Sequence, residues 1–167
     1  MSSHPSHRDF KNFNPIDLIE DMAMGQDWAY QRTESEEIMI DLDAKWAEYR
    51  IQFFWQRDFN VLHLAMAIDM PFDPSLYGQV FELIACLNYR LVMGHFEFSL
   101  ENHLIAYRLN QYLESPKMIK MSHIENLIHL SLSEVDRFYP AFQLVTSKEK
   151  TAQEAMSVAL LDTMGEA

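Results

Sequence analysis

Apolar residues recur at every second position through the middle of the chain. Ile38, Ile40 and Leu42 alternate with Met39 and Asp41. Tyr49, Ile51, Phe53 and Trp55 alternate with Arg50, Gln52, Phe54 and Gln56, and Leu62, Leu64, Met66 and Ile68 alternate with His63, Ala65, Ala67 and Asp69. A period of two is that of a half-buried strand, so three strands are predicted. With four-residue loops at 43–46 and 57–60, antiparallel pairing sets Ile40 against Tyr49, Ile38 against Ile51, Trp55 against Leu62, Phe53 against Leu64 and Ile51 against Met66. Every apolar set then lands on one face, and a slip of one residue would put these side chains in water. The opposite face carries Met39, Arg50, Gln52, Phe54, His63, Ala65 and Ala67.

Helical spacing flanks this block. Asn14 can cap a helix with Pro15 in its first turn, and Ile16, Ile19, Met22 and Ala23 share one face of it. Gly25 is expected to end that helix, with an extended stretch beginning at Trp28 and Tyr30. Asp73 and Pro74 open a second helix, whose Leu76, Val80, Leu83, Ile84, Leu87 and Leu91 recur at three and four; Gly94 is expected to break it. Phe96 and Phe98 alternate with His95 and Glu97, a turn falls near Glu101 and Asn102, and Ile105, Tyr107 and Leu109 return as a strand. Ser122 with Glu125 reads as the capping box of a long helix, and Pro140 is expected to kink or split it. Thr151 with Glu154 is a second capping box. The order predicts an α+β fold, an antiparallel sheet of about five strands with helices mainly on one face. Residues 1–13 lack periodicity and are expected to form a mobile N-terminal arm, and 14–167 a single domain.

Charge and composition narrow the chemistry. Thirteen Lys and Arg against 25 Asp and Glu give a net charge of −12, which repels phosphate backbones and anionic lipid, so neither nucleic acid nor membrane is an expected partner. No apolar run approaches the ~20 residues of a membrane helix, and the first residues lack the apolar segment of a signal peptide, so the expected compartment is the cytoplasm. The single cysteine, Cys86, rules out an internal disulfide and fits a reducing compartment. With only 4 glycines, none in a phosphate-cradling pattern, a nucleotide loop is not expected.

Other candidates are weaker. His95 and Glu97 share a strand face that His63 could join, which reads either as a His/carboxylate site or as polar residues on a solvated face. Cys86 lies on the flank of an apolar stripe and reads as an inert thiol. Glu36, Glu37, Asp41 and Glu48 read as a solvated charged edge rather than an acid/base site. Among the 11 methionines, Met39, Met118 and Met121 fall near element edges, where flexible thioethers suit an adaptable binding surface, whereas Met22, Met66 and Met156 belong to packing. Phe54 points away from the core face: either helices cover part of the second face, or Phe54, Met39 and Ala65 form an exposed patch that marks a partner site.

Three segments carry a resemblance: 14–32, NPIDLIEDMAMGQDWAYQR; 91–96, LVMGHF; and 138–143, FYPAFQ. Together they resemble the YbjN family of bacterial sensory transduction regulators, most closely its alphaproteobacterial branch, over nearly all of the chain from residue 14. The resemblance implies a fold similar to type III secretion chaperones, a scaffold that dimerises and binds protein segments. It implies no catalytic residues and no cofactor. The expected function is that of a non-enzymatic cytoplasmic regulator or chaperone-like adaptor, a homodimer that binds a protein partner either through the second sheet face, with Met39, Arg50, Phe54, His63 and Ala65, or through an uncovered sheet edge. The alternative is a small-molecule or metal sensor using His63, His95 and Glu97.

Overall fold

The computed structural model describes residues 13–164; most of the expected N-terminal arm, 1–12, lies outside them. The chain runs α1 (Pro15–Gly25), β1 (Ala29–Glu34), β2 (Glu37–Asp43), β3 (Glu48–Gln56), β4 (Val61–Ile68), α2 (Tyr77–Asn88), β5 (His95–Ser99), β6 (Leu104–Tyr112), α3 (Met121–Thr146) and α4 (Ala152–Met164). The strands form one antiparallel sheet in the order β1-β2-β3-β4-β6-β5. The fold is α+β, as expected, with six strands instead of about five. The extra one is β1, the extended stretch after Trp28, which pairs Tyr30 with Ile40 at the sheet edge. None of its side chains is fully buried, so it has no apolar alternation to betray it.

Register shows what a period of two can fix. The β3–β4 hairpin pairs Trp55 with Leu62, Phe53 with Leu64 and Ile51 with Met66, as predicted. The β2–β3 hairpin is displaced by two residues: Leu42, not Ile40, faces Tyr49, and Ile38 faces Phe53, not Ile51. Its loop is 44–47, closed by the Ala44 amide donating to the Ala47 carbonyl at 3.1 Å. A two-residue slip keeps every side chain on its own face, so hydrophobicity is blind to it.

Helices pack on the apolar face. Ile16, Ile19 and Met22 of α1, Val80, Leu83 and Leu87 of α2, and Val135, Phe138 and Phe142 of α3 are all buried. Phe96 of β5 sits edge-on to Tyr107, Phe138 and Phe142 with ring centroids 5.3, 6.0 and 5.2 Å away. Burying one such ring is worth roughly 1.5–3 kcal/mol.

The helix ends correct several expectations. Asn14 caps α1 by accepting from the Ile16 amide at 3.1 Å. Asp73 caps a 3₁₀ turn, Pro74–Leu76, that leads into α2. α2 stops at Asn88, well before Gly94, because the Asn88 amide group exchanges hydrogen bonds with the backbone of Phe96: it accepts from the amide at 2.7 Å and donates to the carbonyl at 2.9 Å. Gly94 instead turns the chain into β5 at φ +67°, where a Cβ would fall 2.3 Å from the Tyr107 hydroxyl oxygen. α3 begins at Met121, so Ser122 already lies inside it. The Lys120 amide donates to His123 Nδ1 at 3.0 Å in place of the predicted Ser122–Glu125 box. The Thr151–Glu154 box forms.

Pro140 does not split α3, which is continuous for 26 residues. A proline at 140 cannot donate to the carbonyl of residue 136. Trp46 supplies the missing donor from the β2–β3 loop, its Nε1 reaching the Asp136 carbonyl at 2.9 Å. The Trp46 ring stacks on Tyr139, and the Tyr49 hydroxyl donates to Asp136 Oδ1 at 2.9 Å. The hairpin loop therefore seals the helix where proline opens it.

Candidate functional site

Because alternate strand residues point in opposite directions, the face away from the helices is built from the polar set of the same strands. Glu48, Arg50, Gln52 and Phe54 are all exposed on β3, whereas Tyr49, Ile51, Phe53 and Trp55 between them are fully buried. Phe54 is 38% exposed, so helices do not cover it, while Met39 and Ala65 on the same face are half-buried.

Three of the five expected site residues come together. Phe54, His63 and Ala65 line a concavity of about 240 Å³ with Gln52, Gln56 and Arg108. Phe54 stacks on His63 at 5.8 Å. The His63 ring is pinned from both sides, Nδ1 with Asn110 Oδ1 at 2.8 Å and Nε2 with Gln56 Oε1 at 2.9 Å. Both partners are side-chain amides, so one can accept from the ring N–H while the other presents its NH2 to the second nitrogen, and the imidazole is held as a platform with both nitrogens occupied. Ala65 leaves room in front of it, and Ala67 and Ala106 pair beside it.

Met39 and Arg50 share the face but do not line the concavity. Arg50 grips Asp41 through Nε at 2.8 Å and Nη2 at 3.1 Å. Those hydrogen bonds hold the Asp41 carboxyl below its ordinary range. Glu37 accepts from Gln52 at 2.8 Å and Glu36 from Arg57 at 2.6 Å, so three acids of the expected charged edge each hold a partner. At the rim Arg50 is paired with Asp41 and Arg108 with Glu97, and the centre is small and aromatic.

The His/carboxylate candidate does not converge. Glu97 accepts from Arg108 at 2.7 Å and lies 3.6 Å from His95, while His63 is engaged two strands away. Among the described residues no group of three or more His, Cys, Asp and Glu could hold a metal ion. Cys86 is a half-buried free thiol on α2.

Two features went unread. Phe72, Tyr77, Phe81 and Phe98 form a continuous ring cluster with centroids 5.2–5.9 Å apart, with Tyr77 hydrogen-bonded to His103. These rings come from a loop, a helix and an edge strand, so no single periodic segment contains them. A second concavity, about 380 Å³, is lined by Leu113, Met118, Ile119 and Leu127 beneath Tyr112. Exposed Met118 was its only signal in the sequence.

The segments that carry the family resemblance are structural. Asn14 donates to the Ser35 carbonyl at 2.6 Å, and Arg32 binds Asp17 at 2.7 Å, Glu20 at 2.5 Å and the Ser35 carbonyl at 2.7 Å. Together they lash α1 to the β1–β2 turn. Gly94 and Phe96 form the β5 approach, and Phe138 and Phe142 are its counterpart on α3. None of these residues lines the open-face concavity.

What the fold and its exposed face define is a layered α+β scaffold with one finished side and one displayed side. The model of the YbjN family, described as a putative bacterial sensory transduction regulator, matches residues 15–144. The chain belongs to this family. No curated protein and no solved structure matches the chain. No described helix is long and apolar enough to cross a membrane.

Proposed function

We propose that the chain is a non-enzymatic cytoplasmic regulator, a chaperone-like homodimeric adaptor that captures a segment of a partner protein on the open sheet face. One observation carries this reading. Phe54, a large apolar ring, is displayed on a central strand beside a fixed imidazole and a shelf of alanines, inside a rim whose Arg50 and Arg108 are already paired. Displaying such a ring to water has no folding benefit, and rings held rigidly in shallow concavities are the usual anchors of protein interfaces. Paired rim charges lower the desolvation cost of closing a partner over the centre.

The test is affinity capture from host lysate with wild-type protein and with the Phe54→Asp, Arg50→Glu double variant. The proposal expects a specific bound protein that the variant loses while its melting temperature stays within a few degrees. Retention of that protein by a folded variant would contradict it. Light scattering on the purified chain checks the dimer.

A further inference from the structure

We infer that the outer side of α2 is the surface through which two copies of the chain pair, their helices running antiparallel across a two-fold axis at Ala85. The pairing rests on the homodimer proposed above and names its surface. Val80, Leu83 and Leu87 of α2 turn to the core, so the opposite side of a surface helix should carry polar and charged residues. It does not. Gly78, Phe81, Ala85 and Tyr89 recur there at spacings of three and four, all of them exposed, and Val92 follows just past the helix end. Tyr89 is 89% and Val92 97% exposed. The 12 residues of α2 include a single charged one, Glu82. A helix that is apolar on every side belongs to an interior, yet the described residues leave this side of α2 open.

The face is built to meet itself. Packed antiparallel about Ala85, two such helices set Ala85 against its counterpart, a small residue that lets the axes approach closely, and set Phe81 of one copy against Tyr89 of the other. Phe81 is held ready for that contact by Tyr77 and Phe98, whose ring centroids lie 5.8 and 5.7 Å from its own. Glu82 accepts from the Gln153 amide at 3.1 Å, and Arg90 donates one N–H to the Cys86 carbonyl at 3.0 Å; neither forms an ion pair among the described residues. The antiparallel register brings Glu82 of one copy within a turn of Arg90 of the other, so the only charges beside the seam are opposite ones. Covering Phe81, Ala85, Tyr89, Val92 and Met93 on both copies removes on the order of 1,000 Å² from water, the lower bound of a specific interface. Because the seam lies in the helix layer, both open sheet faces, with Phe54, stay available to a partner.

Light scattering on the full-length chain across a concentration series is expected to give twice the chain mass. Ala85→Glu sets two carboxylates against each other on the axis and is expected to weaken pairing about a hundredfold or more. Ala85→Lys does the same with two ammonium groups. An equimolar mixture of these two variants is expected to restore the dimer, since only positions that meet across the axis can exchange repulsion for attraction. Circular dichroism checks that the variants keep their helices, and Tyr89→Ser, at a side chain that is already in water, gives a second reading with an expected loss of about tenfold or more. A wild-type dimer unchanged by the substitutions at 85 and 89 would overturn this surface and leave the homodimer standing. A mixture that stays monomeric would overturn the axis at Ala85. A wild-type chain that is monomeric throughout would overturn both the surface and the homodimer, and would mean that something other than a second copy covers α2.

Discussion

The two faces of the sheet are cut from alternate residues of the same strands, and they differ in almost everything else. On β3, Phe53 is fully buried and Phe54, the next residue, is 38% exposed. Phe53 lies on the helix-covered face, in the apolar core, while Phe54 meets an imidazole and water. The covered face shows how the fold is held, and the displayed face shows what the fold presents. The segments that identify the family serve the first of these: Asn14, Arg32, Gly94 and Phe138 fasten elements together and touch nothing that a partner could reach on the open side. These fastenings account for the architecture, and none of them lies in the concavity of the displayed face.

The comparison breaks most sharply at the adjacent phenylalanines. Phe53→Ala is expected to cost about 3–5 kcal/mol through lost burial and a residual cavity, and Phe54→Ala less than about 1 kcal/mol, both read from denaturant unfolding. Equal losses would mean that the displayed face is part of the core.

Arg32→Ala sharpens it next. Desolvation opposes the Arg32 charge, but the hydrogen bonds it donates to Asp17 and Glu20, with the charges of those carboxylates, outweigh it and raise its pKa. Losing this clamp is expected to cost about 1–2 kcal/mol and to speed amide exchange in α1 and β1 while leaving β4 and β6 unchanged. Uniform exchange across the sheet would show that α1 is not separately fastened.

The smallest effect has the opposite sign. Glu134 of α3 is largely buried, with Oε2 lacking a hydrogen bond; burial raises its pKa above the ordinary carboxylate value, and Arg137, 3.8 Å away, only partly opposes this. Because the folded state binds this proton more tightly than the unfolded state, the ionised group weakens the fold at neutral pH. Stability from this site rises as pH falls through the interval between the raised and ordinary values. Glu134→Gln is expected to raise stability by about 1 kcal/mol at pH 7, with the gain fading below about pH 4, where the acid is protonated in both states. Melting temperatures at the two pH values check it.

Much of this was legible along the chain, because parity is. Alternation alone sets Phe53 and Phe54 on opposite faces and assigns Arg50, His63 and Ala65 to the displayed one. What stayed hidden depends on contacts that parity does not encode. The β2–β3 register slips by two without moving a side chain off its face, and α2 ends at Asn88 because of a backbone partner at Phe96. Pro140 stays within an unbroken helix because Trp46, distant in sequence, takes up the freed carbonyl. At the site, Phe54 was visible as an apolar residue in a polar row. The pinning of His63 by Gln56 and Asn110 was not, since it depends on three strands arriving together.

The most direct measurement places a photo-crosslinking residue at Phe54 on the displayed face and, in a second protein, at Asn126 on α3, with both expressed in the native host. The account predicts a discrete adduct of one partner mass from position 54 and none of that mass from position 126. The same adduct arising from position 126 alone would contradict it.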